Sequence, residues 1–300
     1  MNDQQRKWRA KDGLYLAMII VPIVIAILIQ ILTAPASEGI SITGARIFFE
    51  IPMPLMPLLI TEAQVNSWLI MITIVGVCLF LTNGIHENRG DWRQMASEWI
   101  VEKVDGLVTE NMDPVFHDSY APFVAAVLAL SAFSSLMSLF GVYPPTSDLN
   151  VVGGWAILVF ILITKNKLKA GLWYYTKGYL EPIPVMLPMN IISEIATPVS
   201  MAFRHFGNVL SGSVISALVA WALAGASSAL LGWLPGFLGE IPILRVGLPA
   251  ILSAYFDVFS GCIQAFIFSM LTMLYISGAY PGDELEARKA KLAQKAAMAK

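Results

Sequence analysis

The sequence predicts an all-α integral membrane protein with about six membrane helices. Hydrophobic residues make up 57% of its 300 residues and charged residues only 13%, whereas soluble domains carry about 25% charged residues. Several apolar runs approach the roughly 20 residues that a spanning helix needs. These runs are Gly13–Leu32, Trp68–Thr82, Ala121–Val142, Val151–Thr164, Ile191–Leu231 and Val246–Tyr280. No linker or repeat divides the chain, so we expect a single membrane domain over residues 1–300.

The distribution of basic residues predicts the orientation of these helices. When the six runs are threaded from an inside N-terminus, every Lys and Arg falls on one side except Arg46, Arg204 and Arg245. The positive-inside rule then predicts that both termini are cytoplasmic. The formal net charge is -2 and no basic stripe is present, so we expect no nucleic-acid partner.

Residues 1–60 are predicted to form an N-terminal helix and an external loop. The first apolar run could instead be a signal peptide, because basic residues precede it and Ala34–Ala36 matches an A-x-A pattern. Its apolar stretch exceeds the usual ~7 to 15 residues, which favours a retained helix. Four prolines between Pro35 and Thr61 predict an irregular or extended loop.

Residues 61–188 are predicted to hold the middle helices and one segment of a different kind. In "DWRQMASEWIVEKVDGLV", polar and apolar side chains recur on opposite sides at helical spacing. This pattern predicts an amphipathic helix on the cytoplasmic surface, or a helix packed on a partner protein. The apolar side comprises Trp92, Met95, Trp99, Ile100, Val104 and Leu107.

Two further features of this middle region concern helix ends. The prolines of "YPPTSDLN" predict a turn, and Asp148 stands where the next helix begins. Asp148 could cap that helix or have a functional role. Trp173, Tyr174 and Tyr175 follow the fourth run and are typical of anchors at the membrane interface.

The last two apolar runs are too long for upright membrane helices. Ile191–Leu231 would extend on the order of 60 Å as a helix, whereas a bilayer core is about 30 Å thick. Such helices must tilt or break. Candidate break points are Pro198, Gly207, Gly212 and Gly225. We expect a steeply tilted hairpin over residues 189–280, which would form the ion channel, and a cytoplasmic tail over 281–300.

Polar side chains within these two runs predict an ion path. An arginine at a helix centre costs about 2.5 to 3.5 kcal/mol, so Arg204 requires compensation. Asn208 lies one turn beyond it, and Asp257 and Gln264 recur on one face of the sixth run. Glu194 adds a carboxylate about three turns before Arg204. The alternative is a static ion pair of Arg204 with Asp257 or Glu194.

The sequence gives little support to other classes of function. It contains no H-E-x-x-H, Walker or G-x-S-x-G motif, and Cys78 and Cys262 lie in apolar runs without metal-ligand spacing. We therefore expect no catalytic site, cofactor or metal. One alternative is a secondary transporter with a midplane site on a helix broken around Pro198 or Gly207. Another is an intramembrane structural or assembly protein.

Four segments resemble subunit a of the F-type ATP synthases. They are "ITEAQVNSW", "PTSDLNV", "PVSMAFRHFGN" and "IQAFIFSMLTMLYI", so the likeness extends from about Thr61 to Tyr280. The resemblance implies a non-catalytic stator subunit for ATP synthesis and ion transport, set against a rotating ring of c subunits. Peripheral-stalk b subunits, other synthase subunits and membrane lipid would be its further partners, and a bacterial plasma membrane its location.

The resemblance also implies roles for individual residues. Arg204 matches the family's essential arginine, which separates two aqueous half-channels, and Asn208 and Gln264 match the polar positions flanking it. Asp148 and Glu194 match polar or acidic positions near the half-channels. Several family members carry an ionisable residue at the position of Ser213, paired with one at the position of Asp257. This sequence keeps only the Asp, so Ser213 could relay an ion only through hydrogen bonding.

Overall fold

The computed structural model describes residues 3–33, 44–54, 56–85, 92–180, 183–231 and 243–298. Within these ranges, six helices are long and apolar enough to cross a membrane. They are Lys11–Thr33, Glu62–Thr82, Pro114–Phe140, Leu149–Lys167, Pro184–Leu230 and Gly247–Gly278. The predicted all-α membrane fold is therefore confirmed.

The helices and strands follow one another in a simple order. The helices are α1 (Asp3–Thr33), α2 (Glu62–Thr82), α3 (Trp92–Asn111), α4 (His117–Met137), α5 (Leu149–Lys167), α6 (Leu172–Gly178), α7 (Leu187–Leu231), α8 (Ile243–Ser253), α9 (Gly261–Gly278) and α10 (Gly282–Met298). The strands are β1 (Ile47–Ile51) and β2 (Leu58–Thr61), between α1 and α2.

Contacts divide the chain into two compact units. The first unit comprises Met1–Gly84, Leu130–Val151 and His205–Ala265. The second comprises Ile85–Ala129, Val152–Arg204 and Phe266–Lys300. The single membrane domain expected over residues 1–300 stays a prediction.

In the first unit, α1 packs closely on α2. A Cβ atom on Gly76 would lie 3.0 Å from the Met18 Cβ, so a larger residue would require α1 to shift by a few tenths of an ångström. Ala26 of α1 and Ile70 of α2 are buried in one apolar cluster. Close approach through small residues is a common way for membrane helices to associate, and here it joins the first helix to the second.

The loop predicted to be irregular or extended contains an antiparallel hairpin of β1 and β2. Its register pairs Glu50 with Leu59 and Ile51 with Leu58. The prolines of its turn lie between the strands, where no ladder hydrogen bond is lost. Pro35 lies outside the described residues.

In the second unit, α3 divides its apolar side between two environments. Val104 and Leu107 pack against the buried core, which includes Val108. Trp92 and Trp99 are exposed. The prediction that all six apolar residues of α3 face lipid or a partner is therefore wrong for Val104 and Leu107, because the end of the helix turns that face onto its own unit.

The predicted tail is largely helical. It forms α10, whose Lys289 Nζ lies 3.2 Å from Asp113 Oδ2 in the same unit. Leu285 packs against the core of this unit. Residues 281–300 are thus not simply an extension beyond the fold.

The long helix α7 is continuous from Leu187 to Leu231 over 45 residues, and Pro198 lies inside it without ending it. The sixth run is also helical from Ile243 to Gly278, but Ala254–Ser260 adopts a π-helix between α8 and α9. The proposed break points in α7 therefore do not break it. The connection over residues 232–242 lies outside the described residues, and the steep tilt stays a prediction.

Candidate ion-translocation site

Arg204 is exposed on the surface of α7, although it lies inside an apolar span. Its neighbours Met201, Ala202 and His205 are buried. Within the described part of its own unit, Arg204 forms no ion pair, and Glu194 pairs with Lys167 instead. A guanidinium exposed in the hydrocarbon region is costly, so this geometry favours compensation by a group outside the chain. The predicted static pair with Glu194 is not present.

His205 fixes the rotation of α7 next to Arg204. Its side chain is fully buried, and its Nε2 lies 3.2 Å from the Ser131 Oγ of α4. Successive helical residues point about 100° apart, so burial of His205 turns Arg204 towards the surface. The burial of His205 therefore gives it a packing role within the fold.

Asn208 and Ser260 join α7 to the π-helical segment. The Asn208 Nδ2 donates to the Ser260 Oγ over 3.0 Å, and the two residues also approach through Asn208 Oδ1 at 3.2 Å. Gln264 lies four residues beyond Ser260 and is buried. The sequence identified Asn208 and Gln264 but missed Ser260.

Two glycines allow close contacts between helices of the first unit near Asn208 and Ser260. A Cβ on Gly212 would lie 3.0 Å from the ring of Phe256, and a Cβ on Gly261 would lie 2.5 Å from the Ser135 Cβ. Gly212, which the sequence offered as a break point, therefore permits close packing instead. A Cβ on Gly261 would overlap Ser135, and one on Gly212 would require the Phe256 ring to shift by a few tenths of an ångström.

Asp257 lies within the π-helix. Its Oδ2 accepts a hydrogen bond from Ser253, one turn earlier in the chain. The carboxylate is partly exposed. Single π-helical turns occur frequently at functional sites, and this one surrounds the acidic residue that the sequence singled out.

Asp148 and Ser213 line one cavity in the first unit, which we call the Asp148 cavity. Its volume is about 950 Å³. Its polar lining consists of Gln30, Arg46, Thr61, Glu62, Ser138, Tyr143, Ser147, Asp148, Asn150 and Ser213. The Asp148 Oδ1 also accepts from the Asn150 backbone N–H over 2.9 Å. Asp148 therefore caps α5, and its functional role stays a prediction.

The pKa of Tyr143 responds to the charges in this cavity. Burial is the largest cause that raises the pKa of Tyr143, and together with the nearby carboxylates of Asp148 and Glu62 it brings this pKa to about 12. Negative charges disfavour the phenolate. The carboxylates of Asp148 and Glu62 therefore act on the Tyr143 hydroxyl within this cavity.

Glu194 lines a second cavity, which we call the Glu194 cavity and which lies in the second unit. Its volume is about 460 Å³. Glu194 Oε1 lies 3.0 Å from Lys167 Nζ and accepts from the Tyr175 hydroxyl over 3.2 Å. Glu194 Oε2 accepts from the Tyr179 hydroxyl. One carboxylate therefore receives one ammonium and two phenol donors.

The tyrosines of this cluster remain protonated donors. Burial is the largest cause that raises the pKa of Tyr175 and of Tyr179, and the Glu194 carboxylate raises both further. The sequence predicted Tyr175 as an interfacial anchor and did not single out Tyr179. It therefore missed their contacts with Glu194, which depend on how α6 folds back towards α7 within this unit.

The candidate residues are distributed over both units. Glu194 and Arg204 belong to the second unit. The first unit contains Asp148, Asn208, Ser213, Asp257 and Gln264. In the described part of the chain, no three His, Cys, Asp or Glu side chains converge as metal ligands would.

Comparison with known proteins identifies the family. The sequence model of the ATP synthase A chain matches residues 64–277. The chain belongs to this family. Membership makes it a multi-pass membrane component of an ATP synthase complex, with the role of the F-type subunit a in ATP synthesis and ion transport. All seven candidate residues lie inside the matched range, whereas Arg46 and Glu62 lie before it.

Three relatives illustrate the degree of similarity. The chain is 31% identical to ATP synthase subunit a 1 of Crocosphaera subtropica, over 75% of this chain and 88% of that protein. It is 32% identical to ATP synthase subunit a of Bacillus pumilus, over 70% and 90%. It is 30% identical to ATP synthase subunit a of Legionella pneumophila, over 76% and 90%.

Proposed function

We propose that the chain forms two aqueous half-channels that bring an ion to a rotating ring of c subunits and release it on the other side. The observation that supports this most directly is Arg204, an exposed cation without an ion-pair partner in the described part of its unit, on an unbroken apolar helix. A ring carboxylate in the membrane would supply the missing negative charge.

Arg204 would act as a fixed charge between the half-channels. In a medium of low dielectric constant, a cation favours the ionised form of a passing carboxylate and repels a free proton or metal cation. Ions would then cross only by riding on the ring. His205 would keep Arg204 in place, because its buried contact with Ser131 fixes the rotation of α7.

The two cavities are the candidate half-channels. We assign the Asp148 cavity to the outer side and the Glu194 cavity to the cytoplasmic side. Lys165 and Lys167 in the last turn of α5 support this assignment, since cytoplasmic helix ends are enriched in basic residues. Both termini would accordingly be cytoplasmic, in the plasma membrane of a bacterium.

Asp257 would belong to the outer route. It has no ionisable partner at Ser213, whose Oγ donates to the Leu210 carbonyl over 2.8 Å. Asp257 instead accepts a hydrogen bond from the Ser253 hydroxyl. Asn208 and Gln264 would flank Arg204, and the bond from Asn208 to Ser260 would hold the π-helical segment against α7.

The ring is proposed to cover an apolar stripe on α7. Ile192, Ile195, Val199 and Phe203 are exposed at helical spacing and lead to Arg204. Such a stripe suits a partner of similar character within the membrane. Peripheral-stalk b subunits and membrane lipid would cover other exposed apolar surfaces, including the aromatic side chains of α3.

A secondary transporter with a broken-helix site receives no comparable support. That hypothesis required an interruption of α7 near Pro198 or Gly207, and α7 continues through both positions. Discontinuous helices supply the ligands of such transporters. The unbroken backbone of α7 offers no equivalent groups there.

ATP-driven ion uptake into vesicles containing the whole complex tests the proposal. We expect Arg204→Ala to abolish uptake and to raise the passive leak, while Arg204→Lys keeps the leak low because it keeps the charge. Arg288→Ala, which removes an exposed cation from α10, is the matched control and should pump normally. Uptake by Arg204→Ala at the wild-type rate would contradict the proposed function.

A further inference from the structure

The Asp148 cavity contains a second carboxylate, that of Glu62 at the start of α2. The Glu62 side chain is only 3% exposed, and its Oε2 lies 3.6 Å from the Nε of Arg46. Arg46 is 28% exposed. A buried carboxylate requires compensation, and Arg46 is the cation that provides it.

Arg46 is held in place by contacts other than this ion pair. Its Nη1 donates to the Thr33 Oγ1 at the end of α1 over 2.6 Å, and its carbonyl accepts from the Glu62 N–H over 2.7 Å. The guanidinium therefore does not depend on the Glu62 side chain for its position. At 3.6 Å the Arg46–Glu62 contact is longer than a normal hydrogen bond, so Glu62 keeps capacity to bind another cation.

Unused oxygen atoms surround the same space. Ser147 is 6% exposed and lines the cavity, and its Oγ has no hydrogen-bond partner among the described residues. The Oε1 of Gln30, another lining residue, is buried and equally unpartnered there. Buried polar atoms normally have partners. Carboxylate, hydroxyl and amide oxygens are the atoms that bind a hydrated cation.

The lining residues give the cavity a net negative charge. Near neutral pH, Arg46 contributes one positive charge, Glu62 and Asp148 each contribute one negative charge, and Tyr143 is neutral. Loss of Arg46 would make the cavity doubly negative, and loss of the Glu62 charge would make it neutral. The pair thus determines how strongly the cavity attracts cations.

We propose that Glu62 is a cation-binding carboxylate of the Asp148 cavity and that Arg46 sets the charge of the cavity by pairing with it. The ion would bind at Glu62 before it passes Asp148 and Ser213. This proposal rests on the proposed role of the cavity as the outer half-channel. Both residues lie before the family-matched range of 64–277, and the resemblance in "ITEAQVNSW" assigned no role to either.

Cysteine labelling at Ser213, which lines the cavity and is exposed, tests the proposal. The whole complex would carry Ser213→Cys, with Cys78→Ala and Cys262→Ala to remove the native thiols. A cationic and an anionic methanethiosulfonate reagent of similar size would be applied from the outer side at low ionic strength. The ratio of their two labelling rates reports the potential in the cavity.

We expect Arg46→Gln to raise the cation-to-anion ratio and Glu62→Gln to lower it, each by roughly threefold or more, since one unit charge acts oppositely on the two reagents. Added salt should shrink both shifts. Arg46→Lys keeps the charge and should preserve the ratio. Glu50→Gln, on β1 and outside the cavity lining, is the matched control and should do the same.

An equal ratio for Glu62→Gln and Glu50→Gln would overturn the proposal, as would failure of both reagents to label Ser213→Cys in every background. The measurement requires no rotation or pumping. A failure here would therefore leave the Arg204 experiment to decide the half-channel function separately.

Discussion

Asn208 of α7 and Ser260 of the π-helix are joined by a hydrogen bond of 3.0 Å from Nδ2 to Oγ. This bond lies one helical turn from the close contact of Gly212 with Phe256. Polar and steric contacts thus fix the same pair of segments at one level of the first unit. Asn208 accordingly has a structural role in addition to its position near Arg204.

Ser260→Ala should destabilise the complex slightly. Hydrogen bonds between membrane helices contribute about 0.6 kcal/mol on average and up to about 1.7. The midpoint of heat inactivation measures the change, and a double-mutant cycle with Asn208→Ala should show that the two losses are not additive. Ser228→Ala, which removes a hydroxyl that bonds only within α7, serves as the control. Additive losses of stability would mean that the hydrogen bond between Asn208 and Ser260 does not stabilise the complex.

Gly261→Ala should be more damaging. Its Cβ would lie 2.5 Å from the Ser135 Cβ, and overpacking typically costs about 1 to 3 kcal/mol. Ser135→Gly should restore part of the lost heat stability, because it removes the atoms that clash. Gly225→Ala, where a Cβ meets nothing within 4 Å, should be neutral. If Ser135→Gly restores no heat stability, the close approach of residues 261 and 135 is not the cause of the loss.

Lys167 and Glu194 should behave as a coupled pair. Lys167→Met leaves a carboxylate that is only 8% exposed without its cation, and removing one partner of a buried pair costs more than removing both. We expect the double variant with Glu194→Gln to be more heat-stable than Lys167→Met alone, with a coupling of about 0.5 to 3 kcal/mol. A double variant less stable than either single one would contradict the ion pair.

Tyr143 should titrate late, near pH 12. Between its usual pKa of about 10 and that value, the unfolded chain loses the Tyr143 proton and the folded chain keeps it, so this contribution to stability is lost as pH rises through the window. Glu62→Gln or Asp148→Asn should lower the pKa of Tyr143 partway, since burial remains the largest cause. The Cζ resonance of labelled tyrosine, assigned with Tyr143→Phe, measures it. Equal pKa values in Glu62→Gln and the control Glu50→Gln would exclude Glu62 as a cause.

The membrane helices and the position of Arg204 could be predicted from the sequence because they depend on apolar length and on the cost of a charge in hydrocarbon. The π-helix could not be predicted, since nothing in "AYFDVFS" distinguishes it from an α-helix. Its wider turns shift the following side chains. The sequence therefore assigned Asp257 and Gln264 to one polar face and missed Ser260.

The side chains that contact Glu194 and Glu62 also could not be predicted from the sequence. Tyr179 and Arg46 contact these carboxylates through segments outside the long helices, and helical periodicity gives no information about such contacts. Glu62 lies before the predicted run Trp68–Thr82, and in the structure it stands in the first turn of α2, where the helix dipole already explains an acidic residue. Only its burial beside Arg46 indicates a further role.

We propose that the Asp148 and Glu194 cavities are two parts of one ion route interrupted at Arg204. Passive ion leak through the Arg204→Ala complex tests it most directly, with Ser213→Cys or Ser193→Cys added in a background free of Cys78 and Cys262. Each of these serines lines one cavity. If the cavities act in series, a bulky thiol reagent at either cysteine should stop the leak by itself. A leak that persists when both cysteines are modified would contradict the account.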